Sequence, residues 1–332
     1  MPGLLKDSYN RTIRDLRVSL TDRCNFRCFY CRPVVNDLFA DKEKILTLEE
    51  IHRVCEIFVS LGIEKIRLTG GEPLLRKDSG KLIQNLSKLR PDLKDIALTT
   101  NGYSLPEKAR DLKSAGLDRI TISLDSLDRK RFELITGADK LDYVLDAIAA
   151  AKKADLRPIK INVVVIKTTN DDEIVDFAKF ARVHDVSVRF IEYMPLDSGN
   201  NWDRDLLVSG REIKEKIEKV YPLHLKKTSR GKETAWKYGF SDGAKGEIGI
   251  IAPVTNMFCG ACSRIRLTAD GQIRTCLFSN EEYDLRKILR RGAPRSEIIE
   301  FIKHAVFQKE KRHHINDSDF VQPKRTMSLI GG

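Results

Sequence analysis

Short strand-like runs alternate with longer amphipathic segments six times between residues 14 and 192, and this alternation constrains the fold most. The predicted strands are 16–20, 65–69, 95–99, 119–124, 158–166 and 186–191, and the predicted helices between them are 47–61, 79–89, 106–115, 141–154 and 171–183. Repeated strand–helix units indicate parallel strands joined by right-handed crossovers. The sequence therefore predicts an α/β fold, an incomplete (β/α)6 TIM-type barrel, with an open doubly wound sheet as the alternative. Both place the chemistry at the carboxyl ends of the strands.

The alternation stops after Pro195, and the remaining chain has another organisation. Helices are predicted at 209–220, 283–291 and 296–307, and the segment 226–249 is rich in Lys, Gly and Ser. A chain of 332 residues is expected to form about two domains, at roughly 150 residues each. We therefore divide it into a barrel core, residues 1–200, and a C-terminal extension, residues 201–332, that closes over the open side of the barrel.

The composition and charge exclude some classes of protein. No apolar run approaches the ~18 residues that span a bilayer, and the first residues lack the apolar segment of a signal peptide, so we expect a cytoplasmic protein without a membrane partner. The formal net charge is +11, yet no nucleic-acid-binding motif accompanies it. The densest basic stretch, residues 309–314, is predicted to be a solvated helix end or loop.

Three cysteines lie in the loop after the first predicted strand, as Cys24, Cys28 and Cys31. Three thiolates within eight residues can surround one inorganic centre, and thiolates favour iron–sulfur clusters or zinc. A structural zinc ion takes four ligands, and no fourth cysteine or nearby histidine follows, since His52 falls inside a predicted helix. The spacing favours a four-iron cluster with one open iron, and zinc remains the alternative.

A second group consists of Cys259, Cys262 and, after thirteen further residues, Cys276. Taken alone, it is equally compatible with a zinc site completed by a distant histidine such as His304. The first predicted helix is expected to start with a capping box of Thr47 and Glu50. The seventh cysteine, Cys55, lies on the apolar face of this helix and is expected to be a core residue.

The first cysteine loop resembles that of radical S-adenosylmethionine (SAM) enzymes, with Tyr30 before the third cysteine and Asp22-Arg23 before the first. The segment Gly70-Gly71-Glu72-Pro73 at the end of the second strand strengthens the resemblance. Around the second cysteine group, the sequence from Phe258 to Gly271 resembles the C-terminal motif of the GTP 3′,8-cyclases of molybdenum cofactor biosynthesis. The resemblance extends over nearly the whole chain, and it includes the ending Gly331-Gly332.

The resemblance implies two [4Fe–4S] clusters and SAM as cofactors. Cys24, Cys28 and Cys31 would bind the cluster that holds SAM, and Cys259, Cys262 and Cys276 the cluster that contacts guanine. The implied SAM-binding residues are Tyr30, Gly71, Glu72, Ser123 and Met194. The implied GTP-binding residues are Arg17, Lys65, Arg67, Thr99, Lys160, Arg264, Ile265 and Arg266. The implied catalytic residues are Arg17, Arg264, Arg266, Gly331 and Gly332, the two glycines as a tail that assists SAM cleavage.

The implied reaction uses a 5′-deoxyadenosyl radical to remove H3′ from GTP, after which C3′ bonds to C8 of guanine. The product, 3′,8-cyclo-7,8-dihydro-GTP, would pass to cyclic pyranopterin monophosphate synthase, and an external donor would supply electrons. A homodimer is the expected assembly. The sequence departs from many relatives at Arg32, where they carry Met, and this places a cation beside the first cluster. The alternatives are another radical SAM enzyme with an auxiliary cluster, such as a peptide-modifying maturase, and, more remotely, a zinc-containing nucleic-acid-binding protein.

Overall fold

The computed structural model describes residues 4–32, 39–196 and 202–331. The six strands of its N-terminal part are β1 (Asp15–Ser19), β2 (Lys65–Thr69), β3 (Asp95–Thr100), β4 (Arg119–Ser123), β5 (Lys160–Val165) and β6 (Ser187–Glu192). They run parallel, and each pairs with the next in sequence order. In a doubly wound sheet, the spatial order of the strands reverses at a switch point. Here the order runs from β1 to β6 without a reversal, so the incomplete barrel is confirmed and the doubly wound alternative is wrong.

Helices cover the outside of these strands. They are α1 (Leu48–Ser60), α2 (Ser79–Ser87), α3 (Leu105–Ser114), α4 (Arg129–Thr136), α5 (Leu141–Lys153) and α6 (Ile174–His184). The capping box predicted for the first helix is present, since the Thr47 side chain accepts from the Glu50 N–H at 3.1 Å and Glu50 accepts from the Thr47 N–H at 2.8 Å. The apolar face of α1 is buried, including Cys55, as expected for a core residue.

Helix α4 is short and mostly polar, and it is not among the helices predicted from the sequence. Its limits are nevertheless marked, because the Asp128 side chain accepts from the Arg131 N–H at the start and Gly137, with φ of 67°, ends it. Backbone hydrogen bonds join its end to the first cysteine loop, from Arg27 N–H to the Thr136 carbonyl at 2.8 Å and from Phe29 N–H to the Ile135 carbonyl at 3.1 Å. Helix α4 therefore supports that loop from outside the barrel.

The C-terminal extension continues the same sheet on both of its edges. Its elements are α7 (Gly210–Glu218), β7 (Leu223–Leu225), β8 (Trp236–Phe240), β9 (Glu247–Ile251), β10 (Arg264–Leu267), β11 (Gln272–Arg274), β12 (Tyr283–Asp284), α8 (Leu285–Arg290), α9 (Arg295–Phe307) and α10 (Met327–Ile330). Strand β9 pairs parallel with β6, and β10 pairs parallel with β1. The described residues thus form one 12-stranded sheet, in the order β12-β11-β10-β1-β2-β3-β4-β5-β6-β9-β8-β7.

The segment 226–249, to which the sequence analysis assigned no strand, holds β8 and the beginning of β9. Its Lys and Gly content masks two strands whose pairing comes from the tertiary fold, since β9 packs beside β6. The division at residue 200 remains a prediction. No helix among the described residues is long and apolar enough to span a membrane.

Candidate active site

One cavity of about 980 Å³ occupies the interior of the barrel and the space beneath the extension. Every described strand from β1 to β6 contributes residues to it, from their amino ends to the loops beyond their carboxyl ends. Both cysteine groups line it. The other predicted site residues that line it are Arg17, Tyr30, Lys65, Arg67, Gly71, Thr99, Ser123, Lys160, Met194, Arg264 and Arg266. Residues distant in sequence are therefore brought to one enclosed space.

The first cysteine loop lies at the carboxyl ends of the strands. All three of its thiols are free and partly buried. Burial raises the pKa of Cys28 well above its ordinary value and that of Cys31 to about 12. Arg32 is buried within the loop, where its guanidinium donates to the carbonyls of Cys24 at 3.0 Å and Phe26 at 3.3 Å. Arg32, the position at which the sequence departs from many relatives, therefore holds the backbone of the loop in which it lies.

The Gly70–Glu72 segment packs directly on this loop. The N–H of Gly71 donates to the Thr21 carbonyl at 2.7 Å, and the N–H of Glu72 donates to the Arg23 carbonyl at 2.8 Å. A Cβ on Gly71 would lie 2.2 Å from the Arg23 carbonyl oxygen. Only glycine permits so close an approach of two backbones, which explains the glycine at this position without reference to a ligand.

Glu72 does not line the cavity. Its buried carboxylate accepts from the Leu74 N–H at 2.9 Å, the Thr100 hydroxyl at 2.8 Å and the Asn101 N–H at 2.7 Å. Burial raises its pKa to about 7, although these hydrogen bonds act in the opposite direction. The Glu72 side chain therefore holds the backbone of this loop, and only the neighbouring backbone is placed to contact a ligand.

Tyr30 and Ser123 lie beside the first cysteine group, and an acidic residue joins them. The Tyr30 hydroxyl donates to Asp125 at 2.5 Å, and the second oxygen of Asp125 accepts from the Val164 N–H at 2.8 Å. Burial raises the pKa of Asp125 to about 6. Asp125 lines the cavity but was not among the predicted site residues. Its place just after the end of β4, two residues beyond Ser123, is the feature of the sequence that could have indicated it.

The second cysteine group lies on the extension, next to β10. Burial raises the pKa of Cys262, but the Arg264 and Lys309 cations outweigh this and lower it to about 7. The Arg264 guanidinium donates to the Cys262 sulfur at 3.4 Å and lies over the Phe258 ring at 5.1 Å. His304, the distant histidine considered for a zinc site, is exposed on α9 and does not line the cavity.

A row of arginines crosses three adjacent strands. Arg266 on β10 pairs in register with Arg17 on β1, and Arg17 pairs with Arg67 on β2. Burial, followed by the neighbouring Arg266 and Arg264, holds the pKa of Arg17 well below its ordinary value. Burying like charges side by side is costly unless counter-charges accompany them. The row therefore indicates an anionic ligand.

Further cations continue this row toward β5 and β6. Arg67 donates to the hydroxyls of Thr99 and Thr121, both at 3.1 Å. Burial and the cations around it, Arg189 foremost, lower the pKa of Lys160 to about 6. Arg189 lines the cavity as well. The sequence analysis missed Arg189, although alternation along β6 places it on the inner face with Ile191.

Three of the remaining predicted residues lie elsewhere. The Ile265 side chain is buried in the hydrophobic core, because it alternates with the inward Arg264 and Arg266. Any contact from this position to a ligand is therefore left to its backbone. Gly331 accepts a hydrogen bond at its carbonyl from Arg266, and Gly332 lies outside the described residues.

The basic stretch 309–314 is not wholly solvated, contrary to the prediction. Lys309 is 4% exposed and His313 is 5% exposed, and both line the cavity near the second cysteine group. The segment follows α9 directly, and only Lys309 and His313 turn fully inward, whereas Lys311, Arg312 and His314 remain exposed. The prediction failed because a densely charged segment is normally solvated, and the sequence alone does not show which of its residues are buried.

Both cysteine groups offer free thiols. In the described chain, no set of three or more His, Cys, Asp and Glu side chains converges closely enough to hold one metal ion. Each cysteine group lines the cavity with three thiols, and thiolates are the protein ligands of iron–sulfur clusters.

Comparison with known proteins places the chain in a family. Residues 18–181 match the Radical SAM superfamily model, and residues 186–315 match the Molybdenum Cofactor Synthesis C model. The chain is 46% identical to GTP 3′,8-cyclase of Thermodesulfovibrio yellowstonii over 99% of its own length and 100% of the relative. It is 44% identical to that of Syntrophomonas wolfei over 98% and 99%. The chain belongs to the GTP 3′,8-cyclase family.

Among solved structures, SuiB of Streptococcus suis bound to its precursor peptide SuiA is similar in fold, with a TM-score of 0.62 at 14% identity, covering 81% of this chain and 61% of SuiB. The N-terminal part is thus a radical SAM domain, for which one [4Fe–4S] cluster and SAM are the cofactors. The similarity to SuiB concerns the fold alone, and the family membership favours the cyclase over the peptide-modifying alternative.

Proposed function

We propose that this protein converts GTP to (8S)-3′,8-cyclo-7,8-dihydroguanosine 5′-triphosphate, using SAM and two [4Fe–4S] clusters. The observation that carries the proposal is a single cavity lined at once by both cysteine groups and by the buried arginine row. A reaction at the ribose of a nucleoside triphosphate requires such an arrangement, since SAM, the base and the phosphates must be held within one enclosed volume.

The triphosphate is assigned to the cations on the inner faces of β2, β5 and β6. Arg67, Lys160 and Arg189 lie there, and Lys65 stands at the amino end of β2. A nucleoside triphosphate carries several negative charges, and guanidinium and ammonium groups bind phosphate oxygens through charge-assisted hydrogen bonds. The anion also relieves the repulsion among these cations, so binding stabilises the local structure.

The guanine base is assigned to the side of the cavity near the second cysteine group. Arg264 and Arg266 lie there on β10, and Arg17 faces them from β1. Cys259, Cys262 and Cys276 are the residues that would hold the second cluster. This end of the cavity also contains the Phe258 ring, over which Arg264 lies, and such a surface suits a planar base.

Cys24, Cys28 and Cys31 would hold the cluster that binds SAM, beside Gly71, Ser123 and Met194. The bound cluster and SAM supply the one-electron reduction and the carbon radical that removes H3′. The chain's own contribution is to enclose the ribose and keep water away, which suppresses side reactions. A small external protein or reductant is expected to deliver the electron, and the cyclised product is expected to pass to cyclic pyranopterin monophosphate synthase.

The carboxyl terminus is assigned a role in positioning. Gly331, with φ of 87°, lies against Ser19 and Thr69, and its carbonyl accepts from Arg266. The Ser328 N–H reaches the Cys31 sulfur. The segment 328–331 therefore connects the first cysteine loop with an arginine of the base-binding side.

The test is an anaerobic assay of reconstituted protein with dithionite, SAM and GTP. We expect 5′-deoxyadenosine together with a cyclised nucleotide, and loss of the cyclised product in a Cys276→Ala variant. Deoxyadenosine without consumption of GTP would point to another radical SAM reaction. Stoichiometric zinc without an iron–sulfur chromophore would overturn the cofactor assignment.

A further inference from the structure

The segment that follows α9, residues 309–313, contacts the second cysteine group at two points. The Lys309 ammonium donates to the carbonyl of Thr275, the residue before Cys276. The backbone N–H of His313 donates to the Cys259 sulfur, and the His313 ring lies 5.1 Å from the Phe278 ring. Residues far apart in sequence thus support two of the three thiols.

Arg11 joins this segment to the cysteine group from the other side. One of its guanidinium nitrogens donates to the carbonyls of Cys259 and Lys311, both at 2.8 Å, and the other donates to the Glu310 carbonyl at 2.5 Å. The Nε of Arg11 donates to the Asp7 carboxylate at 2.5 Å, which orients the guanidinium. The Arg11 side chain is 8% exposed and the Asp7 side chain is 0% exposed. Three backbone carbonyls are therefore fixed by one buried pair of side chains.

Lys309 is buried, and no carboxylate within the described part of the chain pairs with its ammonium group. Its hydrogen-bond partner among the described residues is the neutral Thr275 carbonyl, and it acts electrostatically on Cys262. Burial of an ammonium group is costly unless negative charge lies nearby. The negative charge available at this place is that of the cysteine thiolates and of whatever they bind.

We infer that Lys309 and Arg11 are positioning residues of the second cysteine group, in which Arg11 fixes the backbone around Cys259 and Lys309 supplies a buried positive charge that stabilises the reduced state of the bound cluster. The inference rests on the proposed function in one respect, that the second group holds an iron–sulfur cluster. Reduction potentials of such clusters depend on nearby charge and hydrogen bonds to sulfur. A cation at Lys309 favours the state with the additional electron.

The experiment isolates the second cluster in the full chain by replacing Cys24, Cys28 and Cys31 with Ala. In this background we compare Lys309→Met, Lys309→Arg and the matched control Lys311→Met, whose side chain is exposed two residues away. The readouts are iron and sulfide content and the midpoint potential from a titration followed by electron paramagnetic resonance. A separate Arg11→Lys variant is tested for the rate of iron loss to a chelator.

We expect Lys309→Met to have a more negative potential, whereas Lys309→Arg and Lys311→Met stay close to the background protein. Loss of iron from Lys309→Met alone also supports the role, since the charge is then needed to hold the cluster. Arg11→Lys keeps its charge but loses the forked geometry, so faster iron loss is expected. An unchanged potential and iron content in Lys309→Met overturns the role of Lys309, and unchanged iron loss in Arg11→Lys overturns that of Arg11. A background protein that binds no iron–sulfur cluster refutes the second cluster itself and the inference with it.

Discussion

At the scale of the residue, Lys160 couples ligand binding to protonation. Its pKa of about 6 in the free protein results from burial and surrounding cations, so the amine is mainly neutral above that pH. A bound triphosphate favours the ammonium and raises this pKa. Proton uptake therefore accompanies binding, and the affinity for GTP falls as the pH rises above about 6, by at most about tenfold per pH unit.

Calorimetry without reductant measures this coupling, because the binding enthalpy then depends on the ionisation enthalpy of the buffer. We expect net proton uptake at pH values above the pKa of Lys160, and less uptake in Lys160→Met. Comparison of the two proteins removes the contribution of the triphosphate's own ionisation. Equal uptake by both proteins would contradict the prediction.

Arg32 gives a second prediction at this scale. Its hydrogen bonds to the Cys24 and Phe26 carbonyls hold the first cysteine loop, and hydrogen bonds from a charged donor contribute about 1.5–3 kcal/mol each. Arg32→Met introduces the residue that many relatives carry and removes both bonds. We expect iron to leave the first group faster when a chelator is added, measured by the loss of absorbance in a variant without the second cysteine group. A rate equal to that of the parent would show that the loop is held by other contacts.

At the scale of the element, the contact between the glycine segment and the cysteine loop is testable by adding one carbon. In Gly71→Ala, the Cβ would lie 2.2 Å from the Arg23 carbonyl oxygen, so the two loops must separate and the binding of SAM should be lost. The matched control is Gly80→Ala in α2, where a Cβ meets nothing within 4 Å. There we expect unchanged binding and a melting temperature equal to or slightly above that of the parent. Equal SAM binding by both variants would contradict the proposed packing.

The elements predicted best from the sequence are those whose signals are local. The six core strands, the capping box of α1 and the two cysteine groups all depend on residues close together in the chain. Helix α4 and strands β8 and β9 were missed. The helix is short and polar, β9 pairs with the distant strand β6, and β8 lies in a segment rich in Lys and Gly. Arg11, Lys309 and His313 come together only in the folded chain, so no local pattern could connect them with Cys259.

At the scale of the whole molecule, the C-terminal segment contacts an arginine that lines the cavity. Because Arg266 donates to the Gly331 carbonyl, deletion of Gly331 and Gly332 leaves that guanidinium without this partner. We expect both clusters and the melting temperature to be retained, and the formation of deoxyadenosine to fall by about 100-fold, the order expected when reacting groups are misplaced by about 1 Å. The measurement is single-turnover SAM cleavage in the presence of GTP. Full activity of the shortened protein would contradict the role given to the tail.

The pairing of β1 with β10 also has a consequence during synthesis. Asp15 at the start of β1 is hydrogen-bonded to Ser263, just before β10, and the two residues are 248 apart. One edge of β1 therefore stays unpaired on the ribosome until most of the chain has been made. The outer edge of β6 is likewise exposed until β9 emerges. Unpaired strand edges are templates for association with other chains. We therefore expect the nascent N-terminal part to be prone to association with other chains until the extension covers both edges.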